Sequence, residues 1–213
     1  MSRNVVKDQY YFKGIKMFQT MKAFLSAAMF MTLLGCAGQQ FKSIESDKLT
    51  LGVNHVSEIK NAYGEPVGEG VITKNGKQIN TLSYAYANAI GESDSNGGTA
   101  GKGQTFYFHN GTLVGYDFVS SYAEDSTDFD HSKVGQIKSG QTTINEVTSL
   151  IGKAGGEYIY PLTRKESERA KVYLYSTVSG GFSLEVYVKQ LFVYFNQNNI
   201  VTDIELSETG SKF

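Results

Sequence analysis

The chain contains one cysteine, two prolines and no tryptophan in 213 residues. A single cysteine excludes a disulfide framework, a thiolate zinc cluster and a CxxC redox motif within the monomer. The formal net charge of −1 lacks the basic excess typical of nucleic-acid-binding proteins, so no nucleic-acid partner is expected. The chain does contain 23 glycines, 14 tyrosines and 13 phenylalanines. This composition predicts a β-rich protein with many turns.

The cysteine closes an uncharged segment near the N-terminus. This segment starts after Lys22, runs for about a dozen residues and ends in Leu33–Cys36 (Leu-Leu-Gly-Cys). A basic residue followed by a short apolar run and small residues is the order of a secretory signal. The run is too short to span a bilayer, because a transmembrane helix takes roughly 20 apolar residues.

The four residues Leu33–Cys36 resemble the bacterial lipobox. The resemblance implies a signal peptide at 1–35, cleavage before Cys36, a covalent lipid on Cys36 and a short acylated tether at 36–40. A buried core cysteine and an ordinary cleaved signal are the alternatives. Because Ala rather than Asp stands at position 37, similarity to enterobacterial sorting signals implies the periplasmic side of the outer membrane.

The first 16 residues differ from a compact basic leader, since they contain Asp8 and the pair Tyr10-Tyr11. Met17 and Met21 each open a segment of ordinary signal-peptide character. We therefore expect natural translation to start at one of these two methionines.

The segment after the cysteine repeats itself at an offset of 88 residues. Leu49–Gly52 (Leu-Thr-Leu-Gly) aligns with Ile137–Gly140 (Ile-Lys-Ser-Gly). Further pairs at this offset are Phe41 with Phe129, Val56 with Ile144, Glu58 with Glu146, and Gly64 with Gly152. The repetition predicts two similar units, 41–123 and 124–213.

Each copy changes from helical to alternating periodicity. Thr143 and Glu146 have capping-box spacing, and Gly152 is placed to end the short helix that follows. The predicted strands lie near 67–73, 78–88, 104–109 and 113–119 in the first copy, and near 156–160, 170–177, 184–195 and 199–207 in the second. The expected fold class is α+β, with two tandem repeats, each a short helical segment followed by a four-stranded antiparallel sheet. One face of each sheet would remain free of helix.

The stretch Phe129–Gly152 resembles the motif of the SmpA/OmlA (BamE-like) outer-membrane lipoproteins. A tandem duplication of such a unit is also similar to the secreted β-lactamase inhibitor proteins (BLIP-like). Asn54 and Ala154 depart from the motif, which usually has Thr and Pro there. The resemblance implies a non-enzymatic protein-binding or scaffolding module in cell-envelope assembly or maintenance. The alternative is an inhibitor of a periplasmic enzyme, a β-lactamase or a peptidoglycan hydrolase, with loop 91–103 as its inhibitory element.

No pattern in the chain indicates catalysis, metal binding or a cofactor other than the lipid. His55, His109 and His131 share no metal-ligand spacing. The acidic run Glu124–His131 lacks the EF-hand order of ligands and is interpreted as a solvated linker between repeats. The glycine-rich loop 91–103 lacks the phosphate-loop pattern. No Gly-x-Ser-x-Gly nucleophile motif is present either.

Two tyrosine pairs are the candidate partner-binding residues. Tyr84 and Tyr86 alternate along one predicted strand, and Tyr173 and Tyr175 alternate along its counterpart. A spacing of two places each pair on one side of its sheet. The pairs would either pack under the helices or form an exposed aromatic platform. The platform hypothesis predicts that at least one pair is exposed.

Overall fold

A computed structural model describes residue 41 and residues 48–87, 99–179 and 185–210. The described residues belong to one compact unit, Ala37–Phe213. The predicted signal peptide, Cys36, the tether at 36–40 and the part of loop 91–103 before Thr99 lie outside the described residues. Within the described ranges, no helix is long and apolar enough to cross a bilayer.

The described chain follows the same order of elements twice. In the first half, helix α1 (Val56–Tyr63) precedes strands β1 (Gly68–Lys74), β2 (Lys77–Ala87), β3 (Gly101–His109) and β4 (Thr112–Ser120). In the second half, a 3₁₀ helix (His131–Gln136) and helix α2 (Ile144–Ile151) precede β5 (Gly156–Ile159), β6 (Arg169–Ser179), β7 (Glu185–Phe195) and β8 (Val201–Thr209). These strands overlap the segments that the sequence predicts.

The predicted fold class, α+β with two four-stranded sheets, is wrong. The protein is mostly one antiparallel sheet of eight strands, and each strand pairs with the next in the chain. β4 and β5 join the halves through the pairs Gly115–Tyr158 and Tyr116–Glu157. Two separate sheets would expose two more strand edges with unpaired backbone groups, and the β4–β5 pairing removes them.

The capping residues of α2 are confirmed. Glu146 Oε2 accepts a hydrogen bond from the Thr143 backbone N–H at 2.7 Å, and Thr143 Oγ1 accepts from the Glu146 N–H at 3.3 Å. Gly152 ends the helix at φ 99°, a conformation that favours glycine. The physical chemistry of these few residues therefore determines where the helix begins and ends.

The offset of 88 residues is also present in the backbone hydrogen bonds. Gly52 N–H donates to the Leu113 carbonyl at 2.8 Å, and Gly140 N–H donates to the Val201 carbonyl at 2.8 Å. Each bond fastens the turn before a helix to the last strand of its own half. The two helices are therefore held to the sheet in the same way.

Both helices pack on the same face of the sheet. Tyr116 opposes Glu157, and Glu157 opposes Lys171, so these three side chains share a face with Tyr173, two residues further along β6. Tyr116 belongs to the apolar cluster under α1, and Tyr173 to the cluster under α2. The opposite side of the sheet, which we call the helix-free face, carries no helix among the described elements.

Leu191 and Leu206 test this assignment of faces, because they are cross-strand partners on the helix-covered side. Leu191 is fully buried, whereas Leu206 lies on the last strand and is 43% exposed. Leu191→Ala is expected to lower the free energy of unfolding by about 2–5 kcal/mol through lost burial and a residual cavity. Leu206→Ala is expected to change it by less than about 0.5 kcal/mol in the same denaturant melts. Equal losses would contradict the assignment.

Candidate functional site

The four tyrosines nominated from the sequence lie on the helix-covered face, and the prediction of an exposed pair is wrong. Tyr84, Tyr173 and Tyr175 are buried, and Tyr86 is half-buried. The Tyr86 ring stacks on that of Tyr122 at 6.0 Å. Helices cover the face on which these rings lie, so they contribute to the core rather than to an open platform.

Two of these tyrosines hold the ends of the helices. Tyr84 Oη donates to the Gly64 carbonyl at 2.9 Å, and Tyr173 Oη donates to the Gly152 carbonyl at 3.0 Å. Burial raises the pKa of Tyr173 to about 12, so this hydroxyl remains a donor at neutral pH. The carbonyl of a helix-ending glycine lacks an intrahelical partner, and each tyrosine supplies one.

The acidic run Glu124–His131 connects the two halves and is mostly exposed, as expected of a solvated linker, but two of its carboxylates also form ion pairs. Lys189 is buried, and its Nζ donates to Asp128 Oδ1 at 2.6 Å. Lys102 Nζ lies 3.3 Å from Asp125 Oδ2. Sequence reasoning missed both lysines, although each is the cross-strand partner of a nominated tyrosine, Tyr86 or Tyr175.

The structure does not bring the three histidines together. His55 Nδ1 lies 3.3 Å from the Gly111 carbonyl, and His109 Nδ1 lies 3.0 Å from the Gln78 carbonyl. His131 Nδ1 is 2.9 Å from Glu208 Oε1. Among the residues that the structure describes, no three His, Cys, Asp or Glu side chains form a group that could hold a metal ion.

A buried polar cluster lies in the middle of the helix-free face. Asp117 and Tyr158 flank the β4–β5 junction, and the Tyr158 hydroxyl donates to Asp117 Oδ2. The rings of Tyr107 and Tyr158 meet edge to face at 5.2 Å. Gly115 permits this packing, since a Cβ there would lie only 2.6 Å from Tyr158 Cδ1.

Asp117 is a fully buried carboxyl group that lies among the hydroxyls of this cluster. Burial raises its pKa to about 6, although hydrogen bonds from the Tyr158 and Tyr107 hydroxyls act in the opposite direction. Its cross-strand partner is Thr105. Asp117 Oδ1 and Thr105 Oγ1 are both buried without a hydrogen-bond partner within the described chain. Burying a polar atom without a hydrogen-bond partner costs free energy.

Beside this cluster, the helix-free face carries a surface that we call the uncharged strip. Its members are half-buried and have no ionisable group. Their cross-strand pairing places them on the face of the sheet opposite the nominated tyrosines. They are Ala85, Gly103, Val119, Leu174, Val188 and Gln190. An apolar, partly exposed surface of this kind is a candidate protein-binding surface.

The uncharged strip adjoins the predicted residues in the sequence. Ala85 lies between Tyr84 and Tyr86, and Leu174 lies between Tyr173 and Tyr175. Sequence alternation separates the two faces of each strand but does not tell which face the helix covers. The structure therefore places the nominated tyrosines on the helix-covered face of β2 and β6, and the uncharged strip on the opposite face of the same strands.

The pKa of Asp117 predicts a pH-dependent stability. The folded protein retains this proton up to about pH 6, whereas an unfolded aspartate loses it near its ordinary pKa of 3.8. The free energy of unfolding should therefore fall as the pH rises from 4 to 7, by on the order of 2–3 kcal/mol relative to Asp117→Asn. Urea melts of both proteins at several pH values measure this difference. A difference that does not vary with pH would contradict the assignment.

Comparisons with known proteins leave the family open. No protein-family model matches the chain, so the resemblance to SmpA/OmlA has no family match to support it, and no curated protein matches either. The chain is distantly similar to a Streptococcus mutans crystal structure described as a "putative beta-lactamase inhibitor protein". The similarity covers 76% of this chain and 91% of that chain, at 10% identity and a TM-score of 0.39. A likeness this distant assigns neither a family nor a function.

Proposed function

We propose that this protein is a non-enzymatic outer-membrane lipoprotein that serves as a periplasmic protein-binding or scaffolding module in the cell envelope. The observation that carries the binding role is the uncharged strip on the helix-free face. Its partner would be an envelope protein that offers a complementary apolar surface. The side chains of Ala85, Leu174 and Val188 supply contact area, but no nucleophile or general base.

The charge of the chain supports an anchor that relies on lipid alone. Residues 1–35 contain five basic residues and one acidic residue, which leaves 15 basic and 20 acidic residues after cleavage before Cys36. An acidic chain gains no electrostatic attraction to anionic lipid. One acyl chain gives marginal membrane binding, whereas two or three anchor stably at about 0.8 kcal/mol per buried CH₂.

Cys36→Ser tests the anchor. Without the thiol no diacylglycerol can be attached, so the variant is expected to accumulate as an uncleaved or soluble precursor. Labelling cells with a radioactive fatty acid should mark the wild-type protein and leave the variant unlabelled. Equal labelling of both proteins would refute the anchor.

Site-specific photocrosslinking tests the binding face. A photoreactive residue at position 174 should capture an envelope partner, whereas the same residue at the exposed Ser149 of α2 should not. The second variant is a matched control, because α2 lies on the other face of the same half. Leu174→Asp should reduce recovery of the partner at least tenfold while the melting temperature stays close to that of the wild type.

The captured protein distinguishes the two kinds of binding module. Components of β-barrel assembly would support scaffolding, whereas a stoichiometric soluble hydrolase or β-lactamase would support the inhibitor alternative. Equal crosslinking from positions 174 and 149 would contradict a binding role for the helix-free face.

A further inference from the structure

The outer edge of β1 presents backbone groups that the described sheet leaves unpaired. Asn75 and Gly76, which connect β1 to β2, both have positive φ, at 49° and 70°. Two such residues form a type I′ turn, which makes Lys74 and Lys77 a hydrogen-bonded pair. Hydrogen-bonded pairs alternate along an antiparallel ladder, so the backbone N–H groups at positions 69, 71 and 73 point away from β2.

The equivalent edge in the second half is occupied. The offset of 88 residues places Glu157 of β5 at the position of Glu69, and Glu157 opposes Tyr116 of β4. Phe118 N–H of β4 also donates to the Gly155 carbonyl at 3.1 Å. An antiparallel strand therefore already binds the second copy of this edge within the same molecule.

The other end of the sheet is protected against such pairing. Asp203 and Glu205 of β8 both bind Arg164, and Glu208 adds a third carboxylate to the strand. The Ile204 backbone N–H donates to Asp203 Oδ1 at 2.8 Å, so a side chain already satisfies it. Charges and capped amides of this kind prevent an edge strand from pairing with another chain.

β1 lacks comparable protection. Its one carboxylate is Glu69, which forms an ion pair with Lys60 at 2.6 Å. Val71 is 61% exposed, and the adjoining Val67 is 51% exposed. Val71 lies on the helix-covered side, because it pairs with Asn80, which in turn pairs with Phe108 of the first apolar cluster. An incoming strand would cover these valines as well as the amides that the described strands leave unpaired.

We propose that the outer edge of β1 accepts an antiparallel strand from a partner protein. The occupant is an extended segment whose backbone pairs with Glu69, Val71 and Thr73 and whose apolar side chains cover Val67 and Val71. This inference rests on the proposed binding role but not on the helix-free face, since it concerns a different surface. Backbone hydrogen bonds would supply affinity, and the valines would select apolar side chains.

A peptide with the sequence of β4, Thr112–Ser120, is a suitable probe because this strand occupies the equivalent edge. In amide-resolved NMR of the wild-type protein, the peptide should shift the backbone amides at positions 69, 71 and 73 and slow their hydrogen exchange. Val71→Pro should weaken its binding at least tenfold, because proline removes an outward N–H but no bond to β2.

Leu206→Pro is the matched control on the opposite edge. Leu206 aligns with Phe118 at the offset of 88, so its N–H also points outward, and its replacement should leave peptide binding unchanged. Circular dichroism melts establish that both variants fold. If Val71→Pro does not fold, the test rests on the amide shifts of the wild-type protein. The proposal is then overturned if the peptide leaves the amides at positions 69, 71 and 73 unshifted.

Three other results would also overturn it. The first is that folded Val71→Pro binds the peptide with the affinity of the wild-type protein. The second is that the peptide shifts only amides of β8 or of the uncharged strip. The third is that amides of β1 and β8 shift with protein concentration when no peptide is present. The last result would identify a second copy of this chain as the occupant. The two proposals can fail separately. If position 174 captures no partner but the peptide still binds β1, the binding role of the helix-free face is rejected and the proposal for β1 stands.

Discussion

Two residue pairs between β4 and β5 join the halves of the protein, and the rest of the architecture depends on them. On the helix-free side, the Tyr158 hydroxyl reinforces the junction by donating to Asp117. On the helix-covered side, Glu157 binds Arg169 and Lys171. Burial acts to raise the pKa of Glu157, but hydrogen bonds and charges from Lys171 and Arg169 hold it below its usual value. The Tyr158–Asp117 hydrogen bond crosses the β4–β5 junction itself, whereas the ion pairs of Glu157 fasten β5 to β6.

Joining the halves reduces the number of surfaces open to a partner. One continuous sheet has two edges instead of four, and its two helices lie on a common face. The helix-covered face encloses both apolar clusters, the nominated tyrosines and the buried Lys102 and Lys189. The binding role that we propose would therefore use the helix-free face or the outer edge of β1, since carboxylates protect the β8 edge.

The candidate site was predictable only in part. Strand alternation correctly grouped Tyr84 with Tyr86 and Tyr173 with Tyr175, because successive side chains alternate whatever the sheet packs against. The buried lysines were missed because a charged residue within a strand normally indicates a solvent-facing position. Asp128 and the Phe129 carbonyl, more than fifty residues away along the chain, bind Lys189 and make its burial possible.

The sequence by itself determined the local structure, because local structure depends on neighbouring residues. Thr143 with Glu146 begins α2, Gly152 ends it, and the Asn75-Gly76 turn sets the register of β1 against β2. The resemblance of Leu33–Cys36 to a lipobox is equally local, and lipidation of Cys36 stays a prediction. Only the tertiary structure decided that the strands form one sheet and which of its faces the helices cover. Those outcomes depend on contacts between distant segments, such as Tyr116 with Glu157, and alternation within a strand is the same whichever face is buried.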